Sequence, residues 1–398
     1  MQQLAFFYGL FLPFTSVFAL SMWINLPILI GMIIFFLLAI KGKYIFNRFD
    51  VIVFILFVSP IFFSAIVNIE YASEERYRNH ILSYLTVYFL FYFVSKELLR
   101  NYIVIFFRGI VYGLSVSLLF EFVEFFIAQT PVAYQLDNIP RFAVQQYQPL
   151  FHGIVRARSV VEESGHYALY LGVIGSLSLW FLESKGIKKF SKILKMGIIF
   201  GILLTFSTSG IIFGILSLFF VQAISRTKVL VKKISFLIST IIFFAAIYFF
   251  FLKFYQLNLI NLYIDKKDTM GGRKDFFLLS LDCYLNSDYL NLMFGLGPGY
   301  YDYLNLPSVI SLTALTLFQT GLIGLLMYII LMIVSLKRVN LFHKKQQSFF
   351  VFAICFSFLV YNGISNYWYP WIWVLFATLS IAPELDESRR IKTSKFVL

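Results

Sequence analysis

Residues 309–335 read VISLTALTLFQTGLIGLLMYIILMIVS, a run of 27 positions without a charge, closed by Lys337 and Arg338. At about 1.5 Å per residue such a run outspans the roughly 30 Å hydrocarbon core of a bilayer. Its apolar residues are continuous rather than alternating, which selects a helix over a barrel strand. Hydrocarbon offers no water to backbone polar groups, so a span must satisfy them within a helix or a closed barrel.

Working outward, comparable runs lie at 4–21, 24–40, 49–68, 81–95, 102–127, 165–182, 234–252, 348–364 and 366–382. The chain has 398 residues, 60% of them hydrophobic and 13% charged. A soluble domain carries roughly 25% charged residues, so this chain has too little polar surface to face water all round. No basic region precedes the run at 4–21, which is therefore expected as a span rather than a cleaved leader. The fold class expected is an all-α polytopic membrane protein, a single membrane domain over residues 1–398.

The net charge of +13 raises the question of a polyanionic partner. Its distribution answers it. Basic loops separate alternate spans: Lys41, Lys43 and Arg48; Lys96 and Arg100; five lysines from Lys185 to Lys195; Arg226 to Lys233; Lys337 to Lys345; and the tail from Arg389. The positive-inside rule makes these cytoplasmic, with both termini. The inner side then holds 23 Lys and Arg against 6 acids, and the outer side 10 against 12. The basic excess is a topology signal, and no nucleic-acid partner is expected.

Residues 196–224 are flanked by basic loops on both sides, so an even number of passes is required. They are too few for two full spans of about 20 residues each. LLTFSTSGIIFGIL (203–216) puts Ser207, Thr208, Ser209 and Gly210 at the centre, good turn and capping chemistry. A hairpin of two short helices with an outward tip is expected, the alternative being one long helix. Counting the hairpin as two passes gives about 12 transmembrane segments.

Two long outer loops remain, 128–164 and 253–308, rich in aromatic residues and leucine. Long loops in compact proteins are usually functional or disordered, and this composition argues against disorder. In RKDFFLLSLDCYLN (273–286), Asp275, Asp282 and Asn286 fall on one helical face, as in a helix lying at the membrane surface. Cys283 and Cys355 give no disulfide framework.

The four histidines (80, 152, 166, 343) are scattered and no Asp-x-Asp pair occurs, so no metal site is expected. Gly295-Leu-Gly-Pro-Gly299 lacks the strand–helix unit of a phosphate loop and reads as a turn. RARSVVEESGHYALYL (156–171) stands out instead. It sets Arg156, Arg158, Glu162, Glu163 and His166 at a membrane border, where unpaired charge is costly. Glu163 lies one turn before His166, and Glu162 on a neighbouring face. A charge cluster paired only for stability is the competing reading. GGRKD (271–275) likewise puts Arg273 and Lys274 behind a flexible glycine pair, or makes an ordinary salt bridge to Asp275. Glu121 and Glu124 sit within a span near its outer end, where an ion pair to an outer-loop arginine is expected.

Taken in order, these segments resemble the Wzy-type polysaccharide repeat-unit polymerases and the related O-antigen ligases. EESGHYALYL is similar to the polymerases' Glu-Pro-Ser-x-x-Ala helix start, with Ser164 and Gly165 replacing Pro and Ser. TFSTSG (205–210) is similar to their Thr-x-Ser-Arg-Gly tip, with Ser209 where many members have arginine. FGLGPGYY (294–301) and TGLIGLLMYI (320–329) follow as in the family. The ligases' His-Asn pair is missing from NLPSVISL (305–312), which disfavours that branch. The likeness covers roughly residues 140–335.

The resemblance implies a GT-C-like architecture in the bacterial cytoplasmic (inner) membrane and a metal-independent glycosyltransferase without cofactor. A growing glycan on undecaprenyl pyrophosphate would be transferred to a hydroxyl of a second lipid-linked repeat unit. A flippase and a chain-length regulator are the implied partners. The expected catalytic set is Glu163 or His166 as base with Arg158 and Arg273 on the pyrophosphate. Arg156, Lys274, Arg141, Tyr300 and Tyr301 are expected at the substrate. A lipid-linked oligosaccharide flippase or other transporter is the rival. Those usually show internal repeats and midplane charges, and neither is found here.

Overall fold

Tyr102 turns the longest helical stretch into two. The structure, a computed structural model, describes residues 1–21, 24–42, 45–142, 149–151, 154–224, 274–365 and 367–384. Within it Glu75–Ala128 is helical over 54 residues, roughly 80 Å if straight. At Tyr102 the backbone leaves the helical region (φ −139°, ψ 32°). Tyr8 records the reversal, because its hydroxyl donates to the Leu90 carbonyl at 2.8 Å while its ring stacks on Phe106 at 5.9 Å. Continuous helix would hold residues 90 and 106 roughly 24 Å apart. The expected pair at 81–95 and 102–127 is thus two antiparallel helices joined by a kink without a loop. The expected span at 234–252, together with Arg273, lies outside the described residues.

In chain order the longer helices are α1 (Gln2–Phe11), α2 (Leu26–Ile40), α3 (Arg48–Val67), α4 (75–101), α5 (103–128), α6 (Ser164–Ser184), α7 (Lys188–Leu204) and α8 (Thr208–Ile224). They continue with α9 (274–285), α10 (Leu312–Arg338), α11 (Lys344–Val360) and α12 (Pro370–Ser380). A short two-stranded ladder pairs Pro149–Phe151 with Ile154–Val155. Among the described residues four helical stretches are long and apolar enough to cross a membrane: α3, the folded α4–α5 stretch, α6 and Leu312–Leu341. The architecture is helical and, by the length and composition of these stretches, that of an α-helical membrane protein.

The first apolar run, expected as a span over 4–21, is helical only to Phe11. Pro13 has no N–H for the Gly9 carbonyl, and the chain unwinds. The amides of Ser16 and Val17 reach the Val160 carbonyl (3.4 and 3.3 Å), Ser16 Oγ donates to the Phe142 carbonyl (2.8 Å), and Phe18 N–H donates to the Pro140 carbonyl (3.0 Å). The second half of the run is therefore stitched to the first long loop. What remains of α1 lies along α5 with almost no gap. A Cβ added at Gly109 would stand 2.1 Å from the Phe6 carbonyl oxygen, and one at Gly113 2.3 Å from that of Leu10. The pairings 6–109 and 10–113 make the helices parallel. The four-residue glycine spacing is what lets backbones approach in a membrane helix pair.

A second break lies in α10, where Gly321 takes φ 67°. Leu296 N–H donates to the Phe318 carbonyl at 2.7 Å, taking the acceptor an unbroken helix would use four residues on. Gly295 packs on the backbone of Gln319, where a Cβ would sit 2.3 Å away. Leu312 and Leu331, roughly 28 Å apart on a straight helix, instead line one small cavity with Tyr328. The span expected over 309–335 therefore folds back at Gly321.

Helices α6, α7 and α8 run up and down beside α11. Gly175 faces Ile198 and Gly201 faces Leu171, which makes α6 and α7 antiparallel. Gly214 faces Phe356 and Gly363 faces Ser209, which makes α8 and α11 antiparallel. The Thr205–Ser207 break between α7 and α8 thus stands at the end of the bundle where α6 starts. At the opposite, lysine-rich end, Lys96 is not in a hydrated loop but wholly buried. It forms an ion pair with Asp50, whose other oxygen accepts from Tyr92 and Ser380. A buried pair with its remaining hydrogen bonds filled tolerates low dielectric, where a lone charge would not.

Candidate functional site

The loop entering α6 is held by one carboxylate. Glu124, near the end of α5, accepts the backbone N–H groups of Arg158 (2.9 Å) and Ser159 (2.6 Å) on Oε2. Its Oε1 pairs with Arg141 at 2.9 Å, both side chains being buried. The expected ion pair from an outer-loop arginine thus goes to Glu124, while Glu121 lies one turn below against Gly201. Ser159 is in the left-handed region (φ 52°), pinned by its Oγ donating to the Ser117 carbonyl at 2.7 Å. Such backbone costs of order 1–3 kcal/mol and persists where its surroundings over-determine it. The result fixes the direction of Arg156 to Val160.

From there the chain reaches Glu162, Glu163 and the first turn of α6. Tyr369, just before α12, donates its hydroxyl to Glu162 Oε2 at 2.5 Å and lies 3.1 Å from His166 Nδ1. The phenol has one proton, committed to Glu162. His166 Nδ1 then carries its own hydrogen and donates it to the phenol oxygen, which leaves Nε2 with a lone pair. Nε2 has no hydrogen bond among the described residues. Burial pushes the Glu162 carboxyl above the ordinary carboxylate range. The charge of Glu163 adds to that, against the pull of the Tyr369 hydrogen bond. The arrangement is a carboxylate–phenol–imidazole relay.

The α7–α8 break closes over this segment. Ala157 N–H donates to the Leu204 carbonyl at 3.2 Å. Phe206 (φ 45°) stacks on Phe125 at 6.1 Å, and Ser207 Oγ accepts from Gly210 N–H and touches Ser209 Oγ at 3.1 Å. A Cβ on Gly165 would meet Ser207 Oγ and Ile364, so the tip, the start of α6 and the loop after α11 share one small volume.

A second histidine cluster sits on the other side of the same loop. Gln319 Nε2 donates to His80 Nδ1 (3.2 Å), which sets the opposite tautomer, and His80 Nε2 donates to the Tyr301 hydroxyl at 2.9 Å. Tyr367, two residues from Tyr369, approaches His80 Nδ1 at 3.4 Å. The YWY stretch thus joins both histidines.

The sequence-predicted residues separate accordingly. Arg158 and His166 are buried in the α6 entrance beside Arg141, and Arg158 Nη1 donates to the Glu162 carbonyl oxygen at 3.4 Å. Arg156 is half-buried on the same segment. Glu163 is exposed at the α6 N-cap, its carbonyl accepting from Tyr167. Lys274 is exposed at the start of α9. Tyr300 is wholly buried on Ser280 and Phe318, with no ring face left for a sugar, and Tyr301 belongs to the His80 cluster. Sequence reasoning missed Tyr369, Tyr367, His80 and Gln319. The only local signal was polar aromatics alternating in YWY before a proline.

Fold and site together describe a helical bundle, with helices long and apolar enough to cross a membrane and a carboxylate–phenol–imidazole hydrogen-bonded chain beside arginines at one end. No family model, curated protein or solved structure matches the chain.

Proposed function

We propose that this protein is a glycosyltransferase that polymerises undecaprenyl-pyrophosphate-linked repeat units on the outer face of the bacterial cytoplasmic membrane. The observation that carries the reading is the Glu162–Tyr369–His166 relay standing beside Arg158 at the entrance of α6. The topology proposed with it has about 12 spans, including the α7–α8 hairpin, in a GT-C-like arrangement with both termini cytoplasmic.

In this reading the acceptor hydroxyl attacks the anomeric carbon of the donor glycan. His166 Nε2 takes the hydroxyl proton, and the imidazolium is stabilised through Tyr369 by Glu162. The anomeric carbon–oxygen bond breaks, and undecaprenyl pyrophosphate leaves with the electron pair. Charge accumulating on the pyrophosphate meets guanidinium groups, whose planar forks stay charged at low dielectric. In this reading Arg158 takes that role, with Arg156 and Arg273 of the two long loops in support. The base role thus moves from Glu163 to its neighbour's relay.

Deleting the gene tests the reading: the host should carry single repeat units, exposed on the outer face, in place of a polymer ladder. Units left facing the cytoplasm would indicate a flippase instead.

A further inference from the structure

Between the unwound segment after α1 and the side of α5 lies a cleft of about 450 Å³. Phe14, Val17 and Phe18 form one wall, Val116 and Phe120 of α5 another, and Val160 the floor toward the loop. The side of α5 that continues past it is apolar and open, with Val116, Leu119, Val123 and Phe126 between 45% and 67% exposed. Such a surface in a membrane helix faces lipid, so the cleft is reached from the bilayer. Among the described residues the loop side adds Gln135 and Asn138 as polar contacts.

At its loop end the cleft adjoins the Arg141 guanidinium, which is paired with Glu124. Pro140, in its wall, precedes Arg141, and Val160 stands two residues beyond Arg158. The Arg141 guanidinium lies 5.8 Å from the Phe120 ring. An occupant matched to this surface has an apolar chain and an anionic head at the loop end. A phospholipid brings two chains and one phosphate; a prenyl pyrophosphate brings one chain and a more highly charged head.

Resting on the polymerase reading, we propose that this cleft holds the head-proximal part of the substrate's prenyl chain and so delivers the pyrophosphate to Arg158. The unwinding of the first apolar run at Leu12–Ser21 then has a purpose, because a continuous helix would not form the outer wall.

The test uses the full chain in vesicles of phosphatidylethanolamine and phosphatidylglycerol. Undecaprenyl pyrophosphate with a diazirine near its head is irradiated and the labelled residues are mapped. Label should fall on the 14–18 segment and on Val116 or Phe120. It should be competed by unlabelled undecaprenyl pyrophosphate but not by added phosphatidylglycerol. Absence of label there, or equal labelling by a diazirine phosphatidylglycerol, overturns the proposal. Val116→Trp, which fills the cleft away from the relay, should reduce labelling. It should raise KM on the order of tenfold for undecaprenyl-linked units while sparing a two-isoprene carrier. An equal effect on both carriers also overturns it. Specific label with no polymer from any carrier retires the polymerase reading and leaves the cleft's ligand standing.

Discussion

Tyr369 and Glu162 are 207 residues apart in sequence, yet the tyrosine hydroxyl stands 2.5 Å from the carboxylate. A hydrogen bond to an ionised carboxylate belongs to the strong class. The same phenol oxygen accepts from His166, so one side chain from the loop before α12 ties the start of α6 to its partner carboxylate. The ring itself is fixed by stacking on Trp371 at 4.6 Å.

Tyr369→Phe keeps that stacking and deletes only the hydroxyl. Turnover of lipid-linked repeat units in proteoliposomes should fall by about 10²-fold, the lower range for losing general-base assistance. Folding, read by size-exclusion profile, should be unchanged. Wild-type turnover in this variant leaves the relay without a chemical role.

The raised proton affinity of Glu162 sets a pH dependence. The relay works with Glu162 ionised, so activity is lost as pH falls through its elevated pKa. Because that pKa is raised, the loss comes at higher pH than for an ordinary glutamate near about 4.3. Glu162→Gln should lower activity and abolish this acid limb of the pH–rate profile. A limb that survives the substitution belongs to another group, His166 first.

That the chain is built of long apolar helices was legible in the sequence because continuous hydropathy is a local property, and so was the charge cluster before α6. The breaks were not. Gly321 is an ordinary residue in a membrane helix until Leu296 takes the Phe318 carbonyl, and that contact is absent from local sequence. The end of α1 depends in the same way on Val160 and Phe142, more than 120 residues on. Glu162 and Glu163 were hard to rank because both lie within one turn of His166. Only Tyr369 distinguishes them, by bonding one and leaving the other at the exposed N-cap.

Both oxygens of Glu124 accept hydrogen bonds, from two backbone amides on one and Arg141 on the other. Glu124→Gln must turn its amide nitrogen toward a donor whichever way it is placed. Arg141→Met leaves the carboxylate buried without its cation. Each should cost about 3–5 kcal/mol, the range for breaking a buried pair, as a lower thermal midpoint in detergent. A midpoint within error of wild type for both would show the Arg158 segment is held by something else.

Gly109 and Gly113 press on the α1 backbone, where a Cβ would sit 2.1 and 2.3 Å from carbonyl oxygens. Backbone has no rotamer with which to yield. Gly109→Val and Gly113→Val should each destabilise by roughly 1–3 kcal/mol or more through overpacking. Gly42, with nothing within 4 Å but φ 58°, is the contrasting site, where Gly42→Asn should be mild. Equal loss at all three positions would refute the close parallel contact.

The two ends of the bundle differ in charge, and that difference predicts orientation. Thr130 is exposed where α5 meets the first long loop, and Lys192 is exposed on α7 among the five lysines of residues 185–195. Helices α6 and α7 are antiparallel, with the α6 entrance beside the loop and the lysines at the other end. By the positive-inside rule the lysines are expected in the cytoplasm, and Thr130 outside with the relay. With Cys283 and Cys355 replaced, Thr130→Cys should react with an impermeant maleimide added to intact cells. Lys192→Cys should react only after the membrane is permeabilised. Reaction at Lys192→Cys in intact cells would place the relay on the cytoplasmic side. A polymerase acting on externalised repeat units would then be untenable.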